Sequence, residues 1–450
     1  MANHPTNAPV EHRVERRSVR RGAHASTARP KQSNVMVRAL RTLGPGLITG
    51  AADDDPSGIS TYSQAGAVFG YGLLWTALVT FPLMAAVQLM CARVGEVTDR
   101  GLASVLRKHY PAWLLWVACI LLAIGNTVNI AADLGAMAAA GELLTGVRAV
   151  WFLFPFTLGL LLLLAYTSYA HVTAVFKWLT LALFAYVGAA FLARPDWAQV
   201  LHGTVAPHVV MGRDYLLTVV AILGTTISPY LFFWQAATSV EERDARQAEI
   251  GDRAPRALER ELRAVRADVL TGMLFSNLIM YFIILTAGAT LHRASHAEIQ
   301  TAAQAAAALR PLAGPAAALL FSAGLIGTGL LGVPVLAGSA AYAVAEAGAW
   351  RRGMDETPRT AGKFYGVCAI ALLLGMAIDL AGVNAIKLLF WAAVVNGLLA
   401  PPLIVIVIAI CNNAKVMGRH RNGRVLNTLG IAAAVLMTLA AGGLVASWIF

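Results

Sequence analysis

The sequence predicts an all-α, polytopic membrane protein with two inverted repeats of five transmembrane helices plus one extra, helices one and six being broken. Three observations lead there. Of the 450 residues, 58% are hydrophobic and only 13% are charged, against about 25% charged in soluble domains. Mean hydropathy is +0.64, and apolar segments recur at the roughly 20-residue length a helix needs to cross the hydrocarbon core. Two of those segments, five apart, are interrupted in mid-span by Pro and by small or polar residues. Corresponding breaks in two halves of a chain point to a transporter whose site lies between the repeats.

The elements follow in chain order. Residues 1–38 are polar and rich in arginine (Arg13, Arg16, Arg17, Arg20, Arg21, Arg29, with Lys31 and Arg38). They lack an apolar core, so they are not a cleaved signal peptide, and they read as a disordered basic cytoplasmic tail within reach of anionic lipid. Residues 39–450 read as a single transmembrane transporter domain. Its spans fall near 40–62, 69–92, 112–140, 149–169, 172–193, 214–239, 268–291, 312–347, 364–381, 384–411 and 426–449. Repeat one is about 39–193, repeat two about 214–411, and 426–449 is the extra helix. The 312–347 span is too long for one plain crossing and is expected to tilt, extend or bend, with Gly324, Gly327, Gly329, Gly332 and Pro334 as weak points.

The net charge of +11 reads as topology rather than as nucleic-acid binding. With the N-terminus in the cytoplasm, the loops 93–111, 170–171, 240–267, 348–363 and 412–425 are cytoplasmic. They hold most of the arginine and lysine, as the positive-inside rule requires. An odd number of spans then places the C-terminus outside. The 240–267 loop alternates acids and bases and reads either as a short amphipathic surface helix or as a solvated linker. The four cysteines (Cys91, Cys119, Cys368, Cys411) lie far apart in apolar stretches, fit no disulfide or zinc spacing, and read as buried free thiols.

The chemistry concentrates at the breaks. The first is Asp53-Asp54-Asp55-Pro56-Ser57-Gly58. An intramembrane carboxylate is costly and marks a functional site, and broken backbone at membrane depth survives only where it lines a cavity or is buried in protein. Carboxylate plus freed carbonyls is the chemistry of a cation site. Three acids this close cannot all stay ionised without a cation or a proton. Since successive helical positions point about 100° apart, Asp55 and then Asp54 are expected to face the site, with Asp53 turned toward another helix. The second break is Gly224-Thr225-Thr226-Ile227-Ser228-Pro229-Tyr230, with Gln235 one turn further on.

The chain resembles the Nramp family of divalent-metal transporters. The shared pattern is densest over Gly44-Pro45, Asp55-Pro56-Ser57-Gly58, Thr61, Gln64-Ala65-Gly66, Phe69-Gly70-Tyr71 and Leu73-Leu74-Trp75. The sixth span keeps the frame of Gly224, Thr226 and Pro229. This resemblance implies a LeuT-like fold and import of divalent metal, usually manganese or iron, with proton coupling. It implies that Asp55 keeps the metal carboxylate, with carbonyl donors at Ala52 and Thr225, and that Gly58 stands where the family has Asn. Ser228 replaces the family Met, Tyr230 replaces a His, and Gln235 replaces a second His. Asp133 matches an acid of the proton route, but the partner acid expected three residues later is Ala136. Asp133 is alternatively paired with a neighbour such as Asn126 or Asn129.

These departures have consequences. A thioether favours transition metals over magnesium and calcium, so Ser228 is expected to relax selectivity. Gly58 leaves room for water kept on a hydrated ion such as magnesium. Proton coupling is expected to be weak or altered. The alternative is a cation-coupled small-solute symporter in which Ser57, Gly58 and the exposed amides hold a carboxylate while Asp55 holds the coupling ion. Of the other polar residues in or beside spans, Asn277, Asn384, Asn396 and Glu346 read as helix–helix contacts, Asn396 alternatively facing the central cavity. Asp379 and Lys387 read as residues of the membrane interface. The expected setting is the plasma membrane, with metal ion, protons and lipid as partners. No enzyme activity, cofactor, nucleic acid or obligate protein partner is expected.

Overall fold

The structure, a computed structural model, describes residues 49–50, 52–166, 183–207, 209–210, 212–250, 258–292 and 299–449. The tail expected over 1–38, the loop at 170–171 and the first half of span five lie outside the described residues. The residues described belong to one compact unit, 43–450. Among them, eight helices are long and apolar enough to cross a membrane. The fold is all-helical and follows the expected order of spans.

Span one is interrupted. Thr49, Gly50, Ala52 and Asp53 are helical, Asp54 bends, Asp55 is extended, and α1 runs Pro56–Phe69. It therefore ends at Phe69 rather than near 62, and α2 (Trp75–Thr98) starts later than 69. The physical reason is the break itself. Residues spent on extended backbone must be made up further along to complete the crossing, and the stop comes at Gly70, whose φ of 58° suits glycine. α2 runs past Arg93 to Thr98, since hydropathy marks the membrane edge and not the helix end.

A short helix, α3 (Leu102–His109), follows, then α4 (Ala112–Thr145) and α5 (Val150–Tyr166). Span five is described from Leu183, with α6 at Phe184–Leu192. Sequence reading did not anticipate α7 (Trp197–Val205), which the Asp196 carboxylate caps by accepting from the Ala198 and Gln199 amides. Span six divides into α8 (Arg213–Thr226) and α9 (Pro229–Ile250), and span seven is α10 (Leu258–Ala287) with a wider final turn to His292.

The 240–267 segment is thus neither a separate surface helix nor a plain linker. The helices of spans six and seven extend into it, to Ile250 and from Leu258. Its Ala, Arg and Glu are strong helix formers, so leaving the bilayer does not end the helix. Arg243 stays in the bundle there, ion-paired with Asp99 and Asp244.

Short helical turns between Ala302 and Ala316 lead into α11 (Ala317–Ala347), which is one helix with Pro334 inside it. The chain closes with α12 (Gly362–Leu380), α13 (Ala385–Asn412) and α14 (Arg424–Ile449).

The packing exchanges partners as two inverted repeats should. α1 packs on α10, and its counterpart α9 packs on α2; α2 packs on α10, and α4 on α11. α4 also carries α12 and α13, which makes it the central post. Small residues allow close crossings. A methyl group on Gly224 would overlap the Ala393 carbonyl and the Gly397 amide of α13, so the first half of span six is held tightly against span ten. The four cysteines are buried and free.

Candidate metal site at the two helix breaks

Asp55 is both the cap of α1 and the charge at its head. Its Oδ1 accepts from the Gly58 amide at 2.9 Å and from Ser57 Oγ at 2.7 Å. Pro at the first helical position suits this geometry, because its missing N–H is one that no helix bond would use. The amide and hydroxyl that a solute carboxylate would need at Ser57 and Gly58 are therefore already given to Asp55.

The second break faces it. The Tyr230 hydroxyl lies 3.0 Å from the Ala52 carbonyl oxygen and 3.3 Å from Asp55 Oδ2. One O–H proton serves one of the two at a time. Ser228 Oγ donates to the Thr225 carbonyl at 2.7 Å, with Gly224 O at 3.1 Å. Each carbonyl expected as a metal donor, at Ala52 and at Thr225, thus already has a hydroxyl on it. The hydroxyls come from Tyr230 and Ser228, two positions where the family pattern is lost. Gly58 sits against this second break: a Cβ there would meet Thr225 Oγ1 at 3.3 Å and Asp53 O at 3.4 Å.

A third wall comes from α4 and α11. Asp133 is fully buried on α4, lies beside the Ser57 amide and Asp55, and has no well-formed hydrogen bond among the described residues. The alternative pairing with Asn126 is not made, since Asn126 donates to Leu336 O. Asn129, a turn away on the same face, also has both amide atoms unpartnered among the described residues. Gly332 of α11 closes the space. A Cβ there would lie 3.2 Å from Asp55 Cβ, 3.7 Å from Asp133 Oδ2 and 4.0 Å from Ala52 O. Gly332 entered the sequence reading only as a weak point of its helix. Nothing in a single sequence says that its missing side chain keeps two carboxylates and a carbonyl in one small space.

Asp54 and Asp53 belong elsewhere. Ser276 Oγ on α10 lies 2.7 Å from Asp53 Oδ2 and 3.3 Å from Asp54 Oδ1, and both acids are fully buried. Asp54, expected beside Asp55, instead shares a hydroxyl with Asp53. Gln235 is turned to span one and to its own helix, with Thr49 Oγ1 at 2.9 Å and Ser239 Oγ at 3.3 Å. No group of three or more His, Cys, Asp or Glu gathers at one point among the described residues. The potential donors gathered here are one or two carboxylates and neutral oxygens.

The other polar residues singled out from the sequence take several places. Asn277 donates to Ala77 O and accepts from Thr80 Oγ1, joining α10 to α2. Glu346 caps α3 through the Ser104 amide and pairs with Arg352 at 3.0 Å. Asn384 caps α13, and Asn396 presses its oxygen toward Gly125 of α4. Asp379 fills the space over Gly135 of α4. Lys387 lines an outer depression of about 390 Å³ with Ser60, Gln64 and Asp214.

A family model described as natural resistance-associated macrophage protein-like (Nramp) matches residues 46–447. The chain belongs to the Nramp family. Its members are transporters, not enzymes. A "divalent metal cation transporter MntH" from Deinococcus radiodurans is 31% identical over 299 residues, which is 65% of this chain and 66% of that protein. One of the same name from Klebsiella pneumoniae is 27% identical over 418 residues, 90% of this chain and 94% of its own length. Among solved structures, the Eremococcus coleocola manganese transporter superposes with a TM-score of 0.74 at 18% identity, over 92% of this chain and 88% of that one. Mhp1, a nucleobase-cation-symport-1 family transporter, gives 0.54 at 15% identity, over 90% and 93%. These two likenesses establish the LeuT-type fold, in which both Nramp breaks meet at the bundle centre.

Proposed function

We propose that this chain imports divalent metal cations across the plasma membrane by alternating access, with its N-terminus in the cytoplasm. The ions are of the manganese and iron class with tolerance for magnesium, and coupling to protons is weak or altered. The observation that carries the reading is the convergence of Asp55, Asp133 and the Ala52 carbonyl around Gly332, where the two helix breaks meet. Relatives that bear the name of divalent metal transporters over nearly their whole length support it.

The chemistry is ligand exchange. A dehydrating cation gains the Asp55 carboxylate. The Ala52 and Thr225 carbonyls become available when the Tyr230 and Ser228 hydroxyls rotate their protons away and present oxygen instead. Every donor in this set, with Asp54 as a further carboxylate when the break rearranges, is a hard oxygen. Hard donors do little to reject magnesium. Gly58 lacks the family amide and packs against Thr225 Oγ1, Tyr62 and Asp53 O, so it offers the ion no side-chain ligand. Asp133 stands beside Asp55 as the acceptor for any coupled proton. Tyr230 links Asp55 to the second break, whereas Gln235 bonds to Thr49 and Ser239 and supplies no evident onward step.

The test is uptake into proteoliposomes loaded with a divalent-ion reporter, for manganese and for magnesium, with and without a pH gradient. Uptake of both ions, abolished by Asp55→Asn and changed little by the gradient, is expected. Undiminished uptake by a correctly inserted Asp55→Asn protein would overturn the assignment.

A further inference from the structure

Away from the transport site, α2, α10 and α14 enclose a groove of about 700 Å³. Its mouth lies among the basic loops and carries Arg93, Arg263, Arg266, Arg419, Arg421 and Arg424, with Glu259 as the one acid among the described lining residues. Its floor is apolar and includes Phe81, Pro82, Ala85, Leu89, Leu270 and Leu429. From the sequence the arginines read only as topology. The structure adds that three separate segments bring them to one point above an apolar trough.

We infer that this groove binds an anionic phospholipid of the leaflet on the arginine-rich face, headgroup phosphate among the arginines and acyl chain along α2. Three features support it. The first is length. Arg93 to Phe81 spans twelve residues of α2, about 18 Å of helix, close to half of the roughly 30 Å hydrocarbon core. The second is polarity: charge sits only at the end where headgroups lie, as in basic pockets between transmembrane helices that hold acidic lipid. The third is preorganisation. Arg93 Nη2 donates to His420 O at 2.7 Å and Nη1 to Asn422 Oδ1 at 3.1 Å, which fixes the loop that presents Arg419, Arg421 and Arg424. Those three, with Arg263 and Arg266, are exposed. Guanidinium is the group best shaped to take a phosphate with two parallel hydrogen bonds. The chain's own tail is basic over 1–38 and is the wrong sign to occupy the mouth.

The test uses the full chain purified in neutral detergent. Native mass spectrometry and thermal unfolding are measured with phosphatidylglycerol, with phosphatidylcholine of the same chains, and with inorganic phosphate alone. Three proteins are compared: wild type, Arg266→Gln/Arg424→Gln, and a control that removes two charges elsewhere on the same face, Lys108→Gln/Arg359→Gln. Wild type and control should retain phosphatidylglycerol after phosphatidylcholine has dissociated and should unfold at higher temperature with it. The groove variant should lose both effects. Equal retention of the two lipids, unchanged phosphatidylglycerol binding by the groove variant, or a full shift with phosphate alone would overturn the proposal. If the double variant elutes as aggregate, Arg424→Gln alone, an exposed site, carries the same comparison at smaller amplitude.

Discussion

The two helix breaks solve one physical problem with opposite means. Interrupting a transmembrane helix frees backbone carbonyls that the bilayer cannot hydrate. At the first break the chain keeps a charge. Asp55 caps α1, collects donors from Ser57, Gly58 and Tyr230, and leaves a carboxylate at the bundle centre. At the second break the chain spends a hydroxyl on closure, since Ser228 bonds the carbonyls its own helix released. The first break thus keeps a buried acid, while the second closes over its own carbonyls. On the proposed reading, attraction for a cation comes mainly from span one, and span six, with Ser228 where the family has Met, discriminates less.

The contrast is broken most severely at Asp55. Asp55→Asn keeps an oxygen to cap α1 and removes the charge, so uptake should fall to background while thermal stability changes little. Asp55→Ala should lose uptake equally and in addition unfold more easily, by about 1 kcal/mol for the missing cap. Equal stability of the two variants, read by thermal melts, would deny Asp55 its capping role. Gly332→Ala comes next. Its methyl meets Asp55 Cβ and approaches Asp133, so we expect an overpacking cost of about 1–3 kcal/mol together with sharply reduced uptake. Wild-type uptake would show that the shared space is not used.

Ser228→Met sharpens the comparison by returning a soft donor to span six. Manganese should gain over magnesium by about tenfold in competition, equivalent to roughly 1.4 kcal/mol, and an unchanged ratio would place discrimination elsewhere. The smallest effect is expected from Tyr230→Phe. It removes one hydroxyl whose shorter contact is to the neutral Ala52 carbonyl, at 3.0 Å against 3.3 Å to Asp55 Oδ2, a hydrogen bond of about 1 kcal/mol. A few-fold change in apparent affinity, with maximal uptake kept, is the expected result in concentration-dependent uptake.

Much of this was legible in the sequence because membranes impose strict rules. Span lengths, charged loops and paired breaks follow from apolar runs, from the placement of Arg, and from Pro56 and Pro229. The errors share a cause. Hydropathy reports where the bilayer ends, so it cuts α2 at 92 and leaves 240–267 as a separate surface helix or a linker rather than as extensions of spans six and seven. The site was legible where one residue carries its own chemistry, as Asp55 does. It was not where the chemistry depends on neighbours distant in sequence. That Asp133 and Gly332 reach Asp55 follows from how α4 and α11 pack, and no local pattern encodes it. Ser276 drawing Asp54 toward α10 is a fact of the same kind. Met137, one turn beyond Asp133, packs against Gly329 of α11, one turn from Gly332.

The most direct measurement is the position of the ion itself, from anomalous scattering of crystals soaked in manganese. The account predicts one peak at the meeting of the two breaks, with Asp55 at a ligand distance of roughly 2.0–2.6 Å and the Ala52 and Thr225 carbonyls turned toward it. A peak between Asp53 and Asp54 beside Ser276, with Asp55 still bonded only to Ser57, Gly58 and Tyr230, would contradict it.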